Sequence, residues 1–223
     1  MSDVLAWLPP PATAFLGAPR ENNDRAWVTA HKGDSVAQLK CPAEQFASAL
    51  AGELAEQSGT PHEYRIFRIH RDVRFAKDKT PYNAHLHISL SPDGGCREGG
   101  PAWMFGLDPD GLTLGAGIFV FSPAQLTQWR EWCTSAESAA IEVLLSELTN
   151  AGARLSEPEL KRVPAPWSAD HPSEAQLRRK GLSAWLDQRD PAIAFGADGP
   201  VHCAAELLKL LPLFERLELL TDT

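Results

Sequence analysis

The fold is decided by residues 85–121, which read HLHISLSPDGGCREGGPAWMFGLDPDGLTLGAGIFVF. From 85 to 91, histidine and serine alternate strictly with leucine and isoleucine, the pattern of a strand with one buried face. Residues 103–107 and 112–121 are two further strand-like stretches, and the D-P-D-G sequence at 108–111 between them is a tight-turn signal. Strands joined by short turns pair antiparallel. This segment therefore predicts an antiparallel meander.

Two helical patterns and one strand precede the meander. Residues 21–32 form a short amphipathic pattern, and residues 42–57 repeat apolar side chains at helical spacing. Pro42 suits the first turn of the second helix, and Gly59 follows its end. Residues 64–70 are rich in aromatic and β-branched side chains, so they predict a strand.

Helices and one more strand follow the meander. Residues 123–150 predict a single long helix with Ser122 as its N-cap. Residues 182–188 predict a strand, and residues 201–219 predict an apolar helix that is bent or broken near its proline. The chain is therefore predicted to be a single α+β domain over residues 1–223. Its antiparallel sheet has about four to six strands, with helices packed mainly on one face.

The composition is that of an ordinary soluble protein. Hydrophobic residues make up 43% of the 223 positions and charged residues 22%. No run reaches the roughly 18 apolar residues that a membrane helix needs. Asp3 stands where a signal peptide would have positive charge, and prolines at 9–11 interrupt the apolar stretch. We therefore expect a cytoplasmic protein that does not enter the membrane.

Cysteine spacing and net charge exclude several classes of site. The four cysteines lie far apart without a C-x-x-C pair, which argues against a zinc ribbon or a disulfide framework. A net charge of −8 argues against binding to duplex DNA, which needs an extended basic face. The sequence contains no P-loop, dinucleotide fingerprint or H-E-x-x-H spacing. It therefore predicts no cofactor and no resident metal.

One short segment concentrates positive charge. Six of the 21 lysines and arginines fall within residues 65–79, RIFRIHRDVRFAKDK, beside only two acids. The segment has a formal charge of +4, which leaves −12 on the rest of the chain. Such crowding raises electrostatic self-energy unless an anion or an internal carboxylate network meets the cations.

Two interpretations of this segment stay open. Guanidinium groups match phosphate or carboxylate oxygens bidentately, so a strand followed by a cation-rich loop predicts an anion site. Its candidate ligand-binding residues are Arg68, Arg71, Arg74, Lys77, Asp78, Lys79 and Tyr82. Asp72 and Asp78 would orient the guanidiniums, and Asp72 is also a catalytic candidate. Alternatively, the arginines and aspartates form an internal salt-bridge network that only holds the loop.

Histidines and a proline-rich loop supply the remaining candidates. His85 and His171 are the candidate proton-transfer groups, because histidine titrates near neutrality. Lys161 and Arg162, on the same proline-rich loop as His171, are further candidate ligand-binding residues. His85 and His87 point the same way on one strand, so a metal pair stays open as an alternative to the predicted absence of metal.

The basic segment resembles a known family. Residues 68–82 match every fixed position of the signature R-x-x-R-D-x-R-F-x-x-[DN]-K-x-x-Y, which marks the mostly bacterial domain-of-unknown-function 2461 family. The flanks at 22–27, 112–117 and 160–172 are similar as well, so the resemblance spans essentially the whole chain. Asn83 stands where family members often have lysine. The resemblance implies no particular substrate or reaction.

Two functions from different classes are expected from these residues. The first is a site for a small phosphorylated or otherwise anionic compound, with hydrolase or transferase chemistry if a reaction occurs. The second is a non-catalytic interaction module in which the Arg/Asp motif is a structural salt-bridge network. Whether the protein is an enzyme, and its oligomeric state, stay open at the level of sequence.

Overall fold

The computed structural model describes residues 40–67, 85–92, 99–108, 111–188 and 190–220. The predicted helix at 21–32 and most of the basic segment lie outside these ranges. The described strands form one six-stranded antiparallel sheet accompanied by helices, so the predicted α+β class is confirmed. The strands are β1 His62–Ile66, β2 Leu86–Pro92, β3 Ala102–Asp108, β4 Gly111–Ile118, β5 Arg154–Leu155 and β6 Leu182–Gln188.

The sheet combines a meander with one inserted strand. Its order is β1-β2-β3-β4-β6-β5, so β2, β3 and β4 are neighbours in chain order, as the short turns predicted, and β1 pairs with β2. The chain then leaves the sheet through helices and returns first at β5. Only afterwards does β6 enter between β4 and β5. The strand predicted at 182–188 is confirmed as β6 with the same ends.

The helices agree with their predicted positions except in one place. They are α1 Cys41–Ser58, α2 Pro123–Thr134, α3 Ser138–Asn150, α4 Glu174–Leu177, α5 Gly199–Leu207 and α6 Leu211–Glu218, with 3-10 turns at Pro191–Ala194 and Leu208–Leu210. Gly59 ends α1 at φ 72°, where its N–H donates to the carbonyl of Ala55. The predicted break near Pro212 is confirmed by the 3-10 turn that precedes α6.

The single helix predicted over residues 123–150 is wrong, because the segment forms α2 and α3. Its start is correct: Ser122 accepts from the N–H of Gln125, whose side chain accepts from the N–H of Ser122. At Ser135 the backbone becomes extended, and the Ser135 hydroxyl accepts from the N–H of Glu137. A serine side chain that bonds the local backbone competes with the helix ladder, and this explains the break.

The described chain divides into two compact units, with residues of β3, β4 and β6 in both. In the first unit, α1 buries Phe46 against Phe105 of β3, with ring centroids 4.9 Å apart. Strand β2 buries Leu86, Ile88 and Leu90 while His87 stays exposed, so the predicted alternation holds over residues 86–90. It is wrong at Ser91, which was predicted on the exposed face and is buried. Burying these apolar side chains is the main stabilising contribution to this unit.

The second unit has an aromatic core of its own. Trp103 stacks on Phe214 of α6, with centroids 4.2 Å apart and planes 4° from parallel. Trp129 of α2 is buried beside Phe121, and its indole N–H donates to the carbonyl of Gln176 at 3.0 Å. A buried indole that finds an acceptor avoids the cost of an unsatisfied donor.

Three cysteines are described, and all are free thiols. Cys133 in α2 and Cys203 in α5 are buried, as predicted, and Cys41 is exposed. Burial raises the pKa of Cys133 and of Cys203 to about 12. Across the described residues, we find no helix with both the length and the apolar character that a membrane crossing requires.

Candidate functional site

The β1–β2 hairpin provides the frame of the candidate site. Ile66 pairs with Ile88, and one residue further the N–H of Phe67 donates to the carbonyl of His87 at 2.9 Å. Arg68 is the next residue in the chain, and Tyr82, the last predicted ligand-binding residue of this stretch, comes three positions before His85. Both ends of the predicted anion-binding segment are therefore attached at the same end of this hairpin.

A pair of histidines lies at this point. His85 immediately precedes β2 and His87 lies within it, and their rings stack with centroids 4.3 Å apart and planes 27° from parallel. The predicted common face of the two imidazoles is confirmed. Gly106 of β3 leaves room for them, because a Cβ there would lie 3.2 Å from Cδ2 of His87.

The surroundings of His87 keep it uncharged near neutral pH. Its pKa is lowered from 6.5, first because partial burial removes some of the water around the ring and second because of the neighbouring His85. The Asp108 carboxylate acts in the opposite direction and raises the pKa of His87. A neutral imidazole has one nitrogen that donates and one that accepts, so His87 is available to take up a proton.

Three polar side chains of the same compact unit were missed by the sequence reasoning. Asp108 accepts from the N–H of Gly111 at 2.9 Å and closes the β3–β4 turn. Thr113 of β4 donates to Asp187 of β6 at 3.5 Å. The D-P-D-G motif indicated the turn but not the charge that Asp108 brings to His87. For Asp187, the alternation of residues 182–188 was the available signal.

Arg65 is the one cation of the basic segment among the described residues. It is exposed on β1, pairs in register with Ser89, and holds its guanidinium carbon 5.4 Å from the centre of the Phe67 ring. Alternation places Arg65 and Phe67 on one face of β1. Positive charge from the segment therefore begins on the strand itself, on the face that Arg65 shares with Phe67.

A family model described as conserved hypothetical protein (DUF2461) matches residues 11–215. The chain belongs to this family. The resemblance inferred from the basic segment is thus confirmed at the level of the family. A search of curated proteins finds no significant match. The family description names no substrate or reaction, so any function of this DUF2461 protein has to be argued from its site.

Most of the predicted ligand-binding residues of this DUF2461 protein lie outside the described ranges and stay predictions. They are Arg68, Arg71, Asp72, Arg74, Lys77, Asp78, Lys79 and Tyr82. Of the predicted catalytic residues, the structure brings His85 together with His87 in the first compact unit.

The other predicted residues belong to the second compact unit. Lys161 and Arg162 are exposed on the loop that precedes α4. Nδ1 of His171 accepts from the backbone N–H of Ser173 at 3.1 Å, just before α4. This bond places the ring proton of a neutral His171 on Nε2 and gives the residue a local role in shaping the loop.

The described residues contain no group of three or more His, Cys, Asp or Glu side chains that could hold a metal ion. The side chains described above for this site carry imidazole, carboxylate, hydroxyl and guanidinium groups. Guanidinium groups form charge-assisted hydrogen bonds with anions, and imidazole and carboxylate groups are the usual proton-transfer groups.

Proposed function

We propose that this DUF2461 protein binds a small phosphorylated or otherwise anionic compound where the basic segment joins the β1–β2 hairpin. The observation that supports this most is the stacked His85–His87 pair. The carbonyl of His87 accepts from the N–H of Phe67, and Arg68 follows Phe67 directly in the chain. The segment's charge of +4 supplies the attraction in a protein of net charge −8. We further assign the protein to the cytoplasm, which suits its free thiols.

Anion binding at this place is coupled to proton uptake. A bound phosphate stabilises an imidazolium beside it, so it raises the pKa of a neighbouring histidine. His87 starts with a lowered pKa and is mostly neutral at pH 7. Binding therefore draws a proton onto the histidine pair, and affinity increases as the pH falls toward 6.

The histidine pair also supplies a proton-transfer group at the proposed site. His85 is the proposed proton-transfer residue, with Asp72 aligning the arginines, and the reaction class is hydrolase or transferase. Developing negative charge on a phosphoryl or acyl group is stabilised by Arg68, Arg71, Arg74 and Lys79. The proline-rich loop supplies three secondary candidates. Lys161 and Arg162 are proposed for ligand binding and His171 for proton transfer.

Calorimetry with inorganic phosphate and pyrophosphate tests the binding step. Arg71→Ala removes one bidentate partner and is expected to weaken binding by roughly 10- to 100-fold while the melting temperature changes little. Arg216→Ala is the matched control. It also removes one positive charge, but Arg216 lies in the second unit, where it pairs with Glu137. Its affinity for pyrophosphate is expected to equal that of the wild type.

Two outcomes separate this proposal from its rival. If Arg71→Ala lowers the melting temperature strongly and leaves pyrophosphate binding intact, the motif is a structural salt-bridge network. Calorimetry in buffers of different ionisation enthalpy measures proton uptake at pH 7. Uptake in the wild type that disappears in the His85→Gln, His87→Gln double variant supports the histidine role, and equal uptake in both refutes it.

A further inference from the structure

Strand β1 is an edge of the described sheet. In the order β1-β2-β3-β4-β6-β5 it has one neighbour, and no described strand pairs with its outer side. Its five residues read HEYRI, and the central three, Glu63, Tyr64 and Arg65, are exposed. Natural edge strands are often protected by prolines, bulges, very short length or charged side chains, and the two charged residues of β1, Glu63 and Arg65, have opposite signs. Strand β1 has neither proline nor bulge over its five paired positions.

The outward-pointing backbone groups of β1 follow from its pairing with β2. The N–H of Phe67 donates inward to His87. In an antiparallel ladder the inward-bonding residues alternate, so Arg65 and Glu63 also bond inward, opposite Ser89 and Ser91. The N–H and C=O of Tyr64 therefore point away from β2, toward the outer edge of the strand.

The charges of β1 are complementary to a second copy of the same strand. When two β1 strands pair antiparallel about a two-fold axis at Tyr64, each Glu63 lies opposite Arg65 of the other copy. These two ion pairs form at non-hydrogen-bonded positions, where opposing side chains approach most closely. The two Tyr64 residues face each other and exchange their N–H and C=O groups.

Three other pairings of the same strands are disfavoured by charge. A parallel pairing in register places Glu63 against Glu63 and Arg65 against Arg65. An antiparallel pairing centred on Glu63 or on Arg65 also brings two like charges together. Like charges directly opposite are destabilising, so among these four pairings the charges favour the one centred on Tyr64.

We propose that β1 is a self-association edge, through which two copies of this chain join their sheets antiparallel about Tyr64. The occupant is a second copy because the strand's own charge pattern provides the complement it needs. The contact is short, so it forms a weak and concentration-dependent dimer rather than an obligate one. Dimer symmetry makes both ion pairs identical, as an isologous two-fold interface requires.

Sedimentation velocity over a wide range of protein concentration tests the proposal. The wild type is expected to shift from monomer to dimer as concentration rises. In the dimer, Glu63→Arg gives two arginine–arginine pairs across the axis, and Arg65→Glu gives two glutamate–glutamate pairs. Each variant is expected to weaken dimerisation by about tenfold or more. The double swap Glu63→Arg, Arg65→Glu restores opposite charges across the axis. It is expected to regain the wild-type dimerisation constant at the wild-type net charge.

A proline variant tests the backbone part independently. Tyr64→Pro removes the outward N–H but none of the inward hydrogen bonds to β2, and prolines are tolerated on such edges. It is expected to be monomeric with a far-ultraviolet spectrum like that of the wild type. A wild type that stays monomeric at every concentration overturns the proposal. So does a dimer that both single reversals leave intact, or one that the double swap fails to restore.

Discussion

The imidazole rings of His85 and His87 stack with centroids 4.3 Å apart, on the hairpin from which the basic segment leaves β1. Two imidazolium ions at that distance repel each other, so protonation of one ring disfavours protonation of the other. A charge on His85 therefore lowers the pKa of His87.

His87 is expected to titrate below the ordinary histidine pKa of 6.5, and the shift has named causes. His85→Gln removes a repelling neighbour and is expected to raise the pKa of His87. Asp108→Asn removes an attracting carboxylate and is expected to lower it further. Nuclear magnetic resonance titration of the imidazole protons measures both. His202→Gln, an exposed histidine of α5, is the control and leaves the pKa of His87 unchanged.

The stability of the protein is expected to decrease on acidification partly because of His87. Its pKa is lower in the folded state than in the unfolded state, so the unfolded chain binds more protons between those two values. The free energy of unfolding therefore falls as the pH drops from about 6.5 through the lowered pKa. Urea denaturation from pH 7 to pH 5 is expected to give a smaller loss for His87→Gln. An equal loss in both proteins contradicts this assignment.

Gly106 is expected to be required for the position of the His87 ring. In Gly106→Ala the new Cβ would lie 3.2 Å from Cδ2 of His87, so the ring has to move and the chemical shifts of both histidines change. Gly52→Ala in α1 is the matched control, because a Cβ added at this position has no neighbour within 4 Å. There alanine is expected to raise stability by roughly 0.5–1 kcal/mol through its helix propensity, without moving the histidine signals. Unchanged histidine shifts in Gly106→Ala would contradict the close approach of Gly106 to the His87 ring.

Arg179 is expected to be a major stabilising residue of the second unit. It is 5% exposed, donates from Nε to Gln176 at 2.7 Å, and donates from Nη1 to the carbonyl of Ser156. Burial is the first cause of its lowered pKa. Arg179→Ala leaves these acceptors unsatisfied and is expected to cost about 2–4 kcal/mol in urea denaturation.

The adjacent arginine provides the control for that experiment. Arg178 forms an ion pair of 2.8 Å with Glu174 across one turn, and the Glu174 side chain is 44% exposed. Pairs of this kind contribute little, so Arg178→Ala is expected to cost less than about 1 kcal/mol. Equal losses for the two variants contradict the role assigned to Arg179.

Local patterns in the sequence were sufficient for most elements of the fold. The alternation at 85–91 predicted which side of β2 is buried, because successive side chains in a strand point to opposite faces. Ser122 and Gly59 predicted helix ends through hydrogen bonds and backbone angles that depend only on near neighbours. The break at Ser135 was missed, since the residues on both sides keep helical apolar spacing and a single serine decides the outcome.

The candidate site was predictable only in part. Stacking of His85 on His87 follows from a spacing of two residues where the chain enters β2. The glycine beneath the ring and the carboxylate that acts on it come from β3, and the Thr113–Asp187 contact joins β4 to β6. These neighbours are distant in sequence, so no local pattern indicates them.

The sequence by itself determined the family, the alternation of buried and exposed positions, and the concentration of positive charge at residues 65–79. Those properties depend on residue identity and short spacing alone. Tertiary structure decided that β6 lies between β4 and β5, that β1 is an edge of the described sheet, and that the environment of His87 lowers its pKa. Strand order and desolvation arise from packing between segments far apart in the chain, and no local pattern encodes them.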